Sequence, residues 1–190
     1  MPLLAPGDAL PSRPSRVLVA GSSGSGKTTL ARAIGARLDL PPTETDALFH
    51  GAGWTRRPEF EADIAALAAA PRWVTEYQYD DARPVLLAAC DLLVALDLPR
   101  RVVMTRLVRR TVARRRRREP LWNGNVEPPL RTFLTDRDHI VRWGWRTAGS
   151  VPARVANARA TRPDLPVVVL RSARDVRAWL AGPLVAVTRA

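Results

Sequence analysis

Lysine and cysteine are almost absent from this chain of 190 residues. Of the 30 basic residues only Lys27 is a lysine, so the other 29 (30 minus 1) are arginines. The single cysteine, Cys90, excludes a framework of internal disulfide bonds. The two histidines, His50 and His139, are isolated in the sequence, and no Cys/His cluster predicts a zinc site.

Membrane-spanning and signal segments are also absent. An apolar run such as Leu92–Leu96 is far shorter than the ~20 residues that a helix needs to cross a bilayer. The first residues lack the basic start and the continuous apolar run of a signal peptide. With a hydrophobic content of 46%, the sequence predicts one globular, cytoplasmic domain without membrane contact.

The single lysine lies in a glycine-rich loop at residues 21–28, which fits the pattern G-x-x-x-x-G-K-[ST] at each fixed position. The apolar residues 16–20 before the loop predict a buried strand. Leu30, Ile34 and Leu38 after it recur at the spacing of one helix face. A strand, a glycine loop and a helix in this order predict a phosphate-binding loop.

This loop predicts how a nucleotide is held. Backbone N–H groups and the helix N-terminus would surround the phosphates, and the helix dipole favours their negative charge. Lys27 would reach the β- and γ-phosphates, and the Thr28 hydroxyl would ligate Mg²⁺. The sequence therefore predicts ATP and Mg²⁺ as cofactors. The predicted nucleotide-binding residues of the loop are Gly21, Ser22, Ser23, Gly24, Ser25, Gly26, Lys27, Thr28 and Thr29.

The rest of the chain alternates apolar runs with helical patterns. The clearest later strands are residues 73–76, 91–97 and 166–170. Five strands that alternate with helices predict an α/β fold, with a parallel sheet covered by helices on both faces. We expect residues 16–182 to form this domain. The proline-rich residues 1–15 are expected to form a flexible tail, and residues 183–190 a second tail.

Three acids follow predicted strands or lie just beyond them. Asp46, Glu76 and Asp97 would share the edge of the sheet that carries the loop, where ligands bind in such sheets. Phosphoryl transfer needs a carboxylate to steer Mg²⁺ and often a second to accept the proton of the acceptor hydroxyl. Glu76 and Asp97 are alternative candidates for the magnesium carboxylate, and each is also compatible with a solvated acid at a strand end.

Positive charge is concentrated in one segment. The net charge is +12, and residues 100–118 contain ten arginines and no acid, so the remainder is about +2 (12 minus 10). Such a run is typical of a nucleic-acid patch, a solvated helix face or an anion clamp. Arg106, Arg109, Arg110 and Arg114 have the spacing of one helix face, which would direct their guanidinium groups at phosphate oxygens. We expect Arg106 and Arg110 to be catalytic, Arg109 and Arg114 to bind nucleotide, and residues 109–128 to form a lid.

Four further segments stand out together. They are Thr-Asp-Ala-Leu-Phe at 45–49 followed by Gly-Trp at 53–54, Trp-Val-Thr-Glu-Tyr-Gln-Tyr at 73–79, Ala-Leu-Asp-Leu-Pro-Arg at 95–100, and Asn-Gly-Asn-Val-Glu at 123–127. In this combination the chain resembles the FlaR-like family of small adenylate-kinase-like P-loop proteins, also labelled topology-modulation proteins or AAA-family ATPases. The resemblance implies a P-loop NTPase three-layer sandwich with sheet order 2-3-1-4-5 and an arginine-bearing lid. It also implies a catalytic role for Asp46 on the acceptor side.

The chain departs from this family at the end of the third strand. Where the family has Asp-Gly-Asn-Tyr, this sequence has Glu76, Tyr77, Gln78 and Tyr79. A tyrosine in place of glycine crowds the acceptor pocket, and the longer acid moves the carboxylate by one methylene group. The departure therefore alters the pocket in which the phosphoryl acceptor would bind.

Three functions fit these observations. The first is an ATP-dependent kinase for a nucleoside, nucleotide or similar small molecule, acting as a monomer or homodimer. The second is an ATPase or nucleotide-switched binding protein without a phosphoryl acceptor. The third is nucleic-acid binding through residues 100–118, but no helix-turn-helix, zinc or RNA-binding signature accompanies that run.

Overall fold

A parallel β-sheet forms the centre of the protein, whose computed structural model describes residues 3–189. Within that range the sheet has six strands in the order β3-β4-β2-β5-β6-β1, and each neighbouring pair is parallel. The strands are β1 Leu3–Leu4, β2 Arg16–Gly21, β3 Pro42–Thr43, β4 Trp73–Glu76, β5 Leu92–Leu96 and β6 Val167–Leu170.

Helices connect the strands and cover both faces of the sheet. They are α1 Lys27–Leu38, α2 Thr45–Phe49, α3 Phe60–Ala69, α4 Ala82–Ala89, α5 Arg100–Arg117, α6 Ile140–Thr147, α7 Val151–Thr161, α8 Ala173–Ala181 and α9 Pro183–Arg189. Short 3₁₀ turns lie at Ala52–Trp54, Trp122–Gly124 and Leu130–Phe133. None of the helices in the described part of the chain is long and apolar enough to cross a membrane.

The strands are buried on both faces because helices cover both sides of the sheet. Side chains alternate along each strand, so neighbouring residues pack on opposite faces. Leu18 and Ala20 of β2 belong to an apolar cluster that includes residues of α3, α4 and α7. Val17 and Val19 belong to a second cluster, formed with residues of α1, α8 and α9. The predicted α/β fold with helices on both faces is therefore confirmed, and β2–β6 have the predicted order 2-3-1-4-5.

The chain ends differ from the expected tails. Leu3 and Leu4 pair with Val167 and Val168 as a sixth strand at the sheet edge, and Leu10 is buried in the core. At the other end, Pro183–Arg189 is helical and buries Leu184 completely. Leu3 and Leu4 thus extend the sheet beyond β6, and Leu184 packs with residues of α1 and α8 on one face of the sheet. Met1, Pro2 and Ala190 of the expected tails lie outside the described residues.

Candidate active site at the phosphate-binding loop

The predicted phosphate loop connects β2 to α1. Residues 21–29 run from the end of β2 into the first turn of α1, so the nine predicted nucleotide-binding residues are contiguous in space. Gly24 and Gly26 have φ values of 87° and 99°, which favour glycine. A Cβ on Gly24 would also lie 2.7 Å from the carbonyl oxygen of Val103, so the loop packs directly on α5.

Polar groups of the loop remain available for an anion. The first N–H groups of a helix have no partner within the helix, and Gly26 at the start of α1 offers no side-chain cap. The hydroxyl of Ser25 is buried and has no hydrogen-bond partner among residues 3–189. This geometry suits phosphate oxygens, which accept hydrogen bonds from both kinds of group.

Lys27, Thr28 and Glu76 form a buried polar cluster. Lys27 Nζ lies 4.0 Å from Glu76 Oε2, and the Thr28 hydroxyl donates a hydrogen bond of 2.5 Å to Glu76 Oε1. Burial lowers the pKa of Lys27, and Glu76 opposes this shift. Burial likewise raises the pKa of Glu76, and Lys27 opposes that shift. A cation, a hydroxyl and a carboxylate thus meet where β4 ends beside the loop.

Asp97, the alternative magnesium carboxylate, lies elsewhere on the rim. It follows β5, and its Oδ2 atom is 3.8 Å from Nε of Arg171. The structure therefore brings Glu76, and not Asp97, to the hydroxyl of Thr28. No group of three or more His, Cys, Asp or Glu side chains able to hold a metal occurs within residues 3–189. A site with one carboxylate and one hydroxyl suits Mg²⁺, which keeps several waters and is completed by substrate phosphates.

Asp46 lies in the first turn of α2 and is held by two donors. Its Oδ1 atom accepts hydrogen bonds from Gln78 Nε2 at 2.7 Å and from the Tyr79 hydroxyl at 2.5 Å. The Tyr79 oxygen is also 3.2 Å from Nε2 of His50. Tyr79 has a φ of 61°, an uncommon conformation for an aromatic residue, and such strain concentrates at functional sites. Burial raises the pKa of Tyr79, and the nearby charge of Asp46 raises it further. The Tyr79 hydroxyl therefore stays protonated and donates a hydrogen bond.

The four predicted arginines divide between two faces of α5. Arg106 Nη1 donates to the Ser25 carbonyl at 3.3 Å. Arg110 is half-buried. Burial and then Arg114 lower its pKa, while Glu127, Asp46 and Glu76 oppose this shift. The Nε atom of Arg110 is buried without a partner in the described chain. Arg106 and Arg110 therefore face the loop and the rim acids.

Arg114 and Arg109 differ from the expectation that they would bind nucleotide beside Arg110. Arg114 lies 3.5 Å from Glu119 and 3.9 Å from Glu127, so it pairs with acids of the lid. Arg109 is exposed and lines a separate groove of about 540 Å³ on the outer side of α5. Successive helical residues are rotated by about 100°, which turns Arg109 away from the direction of Arg110.

The segment after α5 folds down on the residues that follow α2. Asn125 donates a hydrogen bond of 2.8 Å to the Gly51 carbonyl and accepts one of 3.0 Å from the Trp54 N–H group. Asn123 donates to the carbonyl of His50. The Trp122 ring stacks on His50, with a centroid distance of 6.1 Å. The lid is thus closed over the edge that carries Asp46.

Glu127 is a buried carboxylate beneath the lid arginines. Its carbonyl accepts a hydrogen bond of 3.0 Å from Arg115. Burial raises the pKa of Glu127, and Arg110, Arg114 and His139 oppose the shift. The charge of Glu127 therefore offsets the mutual repulsion of Arg110 and Arg114, which lie one turn apart on α5.

Comparison with known proteins identifies the fold. No protein-family model and no curated protein matches the sequence. A gluconokinase from Sinorhizobium meliloti 1021 is 20% identical, covers 94% of this chain and 96% of its own, and has a TM-score of 0.52. The chain shares the fold of this gluconokinase structure. A sugar kinase from Janibacter sp. HTCC2649 (22% identity, 93% and 92% covered, TM-score 0.43) and a shikimate kinase from Acinetobacter baumannii (17% identity, 88% and 89% covered, TM-score 0.48) are also similar.

Within this fold, several site residues had no predicted catalytic or binding role. Gln78 and Tyr79 contact Asp46, and His50 contacts Tyr79. His50 is signalled in the sequence only by its position just after a helix at the ligand-binding rim, whereas Gln78 and Tyr79 also lie in a segment that resembles the FlaR-like family. Asn125 and Glu127 lie in a segment that resembles the FlaR-like family, but the sequence pattern predicts no role for either residue.

Proposed function

We propose that this protein is an ATP-dependent small-molecule kinase that transfers the γ-phosphate of ATP to a hydroxyl or phosphate group of an acceptor. One observation carries the proposal: Lys27, Thr28 and Glu76 meet beneath the loop, while Asp46 and Arg110 lie within electrostatic range of Lys27. A donor site and an acceptor-side carboxylate are therefore adjacent on one rim.

The donor side would use the loop and α1. Backbone N–H groups of residues 22–28 would bind the phosphates, and Lys27 would contact the β- and γ-phosphates as a point charge. The Thr28 hydroxyl, and Glu76 through water, would hold Mg²⁺, which neutralises charge on the phosphates when it is bound. The paired oxygen atoms of Thr28 and Glu76 are of the type that this ion prefers.

The acceptor side would use Asp46. Its hydrogen bonds from Gln78 and Tyr79 fix the carboxylate while leaving its second oxygen, Oδ2, to accept the proton of an incoming hydroxyl. Arg106 and Arg110 would stabilise the charge that develops on the transferred phosphoryl group, because their guanidinium groups hydrogen-bond to oxygen pairs. The closed lid would exclude water from this reaction.

The test is ATP consumption across a broad panel of hydroxyl-bearing acceptors, with Mg²⁺ present. We expect acceptor-dependent turnover that falls by at least about 100-fold in Lys27→Ala, with the fold retained in circular dichroism. Arg109→Ala is the matched control, because Arg109 is exposed on the outer side of α5. The absence of ATP consumption with every acceptor would count against a kinase. Equal losses of turnover in Lys27→Ala and Arg109→Ala would also count against it.

A second candidate is an ATPase or nucleotide-switched binding protein without an acceptor. The observation in its favour is Tyr77, which is 2% exposed and fills the position where the resembling FlaR-like family has glycine. Acceptor-independent hydrolysis that rises with oligomerisation would favour this function.

Nucleic-acid binding is a third candidate, favoured by the exposed Arg109, Arg116 and Arg117 on the outer side of α5. A gel-shift series across salt concentrations tests it, because phosphate contacts weaken steeply as salt rises. The absence of a shift at low salt would exclude it.

A further inference from the structure

A groove lies between α4 and α7, outside the residues that the proposed function uses. Its volume is about 480 Å³, and its polar lining residues include Tyr77, Asp80, Arg83, Ser150, Arg154 and Asn157. Tyr77 directly follows Glu76 at the end of β4. The groove therefore starts at the same rim as the phosphate-binding loop.

Arg154 has no ion-pair partner in this groove, since Asp80, which also lines it, pairs with Arg83. Its side chain is half-buried, and it makes no hydrogen bond, ion pair or ring contact with any other residue in the range 3–189. Burial lowers the pKa of Arg154, and Arg83 adds to the shift, although an arginine stays protonated at neutral pH. A partly desolvated guanidinium beside a second one is unfavourable unless an anion binds between them.

Arg83 faces the groove from the other wall. Its guanidinium carbon lies 6.0 Å from the centroid of the Tyr77 ring, which holds the side chain against the groove. Its one ion-pair partner in the described chain is Asp80, whose side chain is 89% exposed. Solvent screens such an exposed partner, so Arg83 retains attraction for an anion.

The groove is electrostatically connected to the donor site. Lys27 has a pKa lowered first by burial, and Arg154 and Arg110 add to that shift. Arg154 thus acts on Lys27 from the groove, and Arg110 acts on it from the lid. An anion beside Arg154 would therefore offset the effect of Arg154 on Lys27.

We propose that this groove binds an oxyanion of the acceptor, a carboxylate or a phosphate group, through Arg154 and Arg83. Guanidinium groups bind such planar or tetrahedral oxyanions with two parallel hydrogen bonds, and the side-chain amide of Asn157 supplies a further donor. The assignment of the anion to an acceptor rests on the proposed function, whereas the oxyanion site itself does not. The acceptor would thus be an anionic hydroxyl compound, with its hydroxyl directed to Asp46.

The experiment is calorimetric titration of three matched probes: glycerol, glycerate and glycerol 3-phosphate. The protein is first saturated with a non-hydrolysable ATP analogue and Mg²⁺, so that the phosphate-binding loop is occupied. We expect one or both anions to bind and glycerol not to bind, and the better anion identifies the group. Arg154→Ala should weaken anion binding by about 10- to 100-fold, as should Arg83→Ala. Arg159→Ala, a change at an exposed position of the same helix, should leave it unchanged.

Two results would overturn the oxyanion site. One is the failure of both anions to bind the nucleotide-loaded wild-type protein, and the other is an equal loss in Arg154→Ala and Arg159→Ala. If Arg154→Ala fails to fold, Arg154→Lys replaces it, because it keeps the charge but loses the paired hydrogen bonds. Anion binding without phosphoryl transfer would refute the kinase and retain this site. Transfer to neutral acceptors without anion binding would retain the kinase and refute this site.

Discussion

At the scale of single residues, the choice between Glu76 and Asp97 depends on side-chain direction. Glu76 ends β4 and Asp97 follows β5, the strands on either side of β2, so the sequence places both beside the loop. Only the structure shows that Glu76 turns to Thr28 while Asp97 lies by Arg171. Strand pattern predicts which rim an acid occupies, but it does not predict the rotamer that brings it to a neighbour.

The first residue-scale prediction concerns magnesium. Glu76→Gln should raise the Mg²⁺ concentration for half-maximal activity by about 10- to 100-fold, because Glu76 would hold the ion through water. Asp97→Asn, the matched control, should change it by less than about twofold. Activity measured in a magnesium titration of the two variants and the wild type checks this expectation. A larger effect in Asp97→Asn would transfer the magnesium role to that residue.

The second residue-scale prediction concerns pH. Burial lowers the pKa of His50 below its ordinary value of 6.5, and Asp46 opposes the shift. The unfolded chain therefore binds this proton at a higher pH than the folded chain. The stability that neutral His50 contributes is complete above pH 6.5 and is lost as the pH falls through that value towards the folded pKa. His50 contributes at most about 1.4 kcal/mol per pH unit to the slope of the unfolding free energy against pH.

His50→Gln should remove the contribution of His50 to the pH dependence of the unfolding free energy, since glutamine does not titrate. Glutamine can still hydrogen-bond to Tyr79. Denaturant unfolding of both proteins at a series of pH values between about 7.5 and about 5.5 measures the difference. Identical pH slopes in the two proteins would show that His50 titrates alike in the folded and unfolded states.

At the scale of elements, α5 determines where the arginines point. Leu107 is fully buried between the loop and α6. A Cβ on Gly24 would lie 2.8 Å from Leu107 Cβ, and one on Gly144 would lie 2.2 Å from Leu107 Cδ2. This close packing fixes the rotation of α5. The spacing of arginines predicts a shared helix face, but the tertiary contacts of Leu107 decide which of them reach the loop, and Arg109 does not.

The element-scale prediction concerns the lid contact. Asn125 is buried and links Gly51 to Trp54, so Asn125→Ala should release the lid from the acceptor side. We expect transfer to an acceptor to fall by about 10-fold or more, while hydrolysis of ATP by water rises relative to transfer. Asn123→Ala, which removes one hydrogen bond of an exposed residue, should have a smaller effect. The ratio of inorganic phosphate to phosphorylated acceptor is the measurement. An unchanged ratio in Asn125→Ala would exclude a role for the lid in keeping water out.

At the scale of the whole molecule, the sheet was predictable because buried parallel strands are continuous apolar runs. The loop motif predicts the strand that precedes it, and the alternation of strands with helices predicts the parallel sheet. The chain ends were not predictable in this way. Leu3–Leu4 forms a strand of two residues, too short to show a period, and its place depends on the free edge of β6.

The central claim is that the loop around Lys27 binds ATP and that its γ-phosphate passes to a small acceptor. The most direct measurement follows γ-³²P-labelled ATP in the presence of a pooled set of polyols, hydroxy acids, sugars, nucleosides and nucleotides. The account predicts label in an organic phosphate with the wild-type protein and none with Lys27→Ala. Label that stays in ATP, or appears in inorganic phosphate alone, would contradict it.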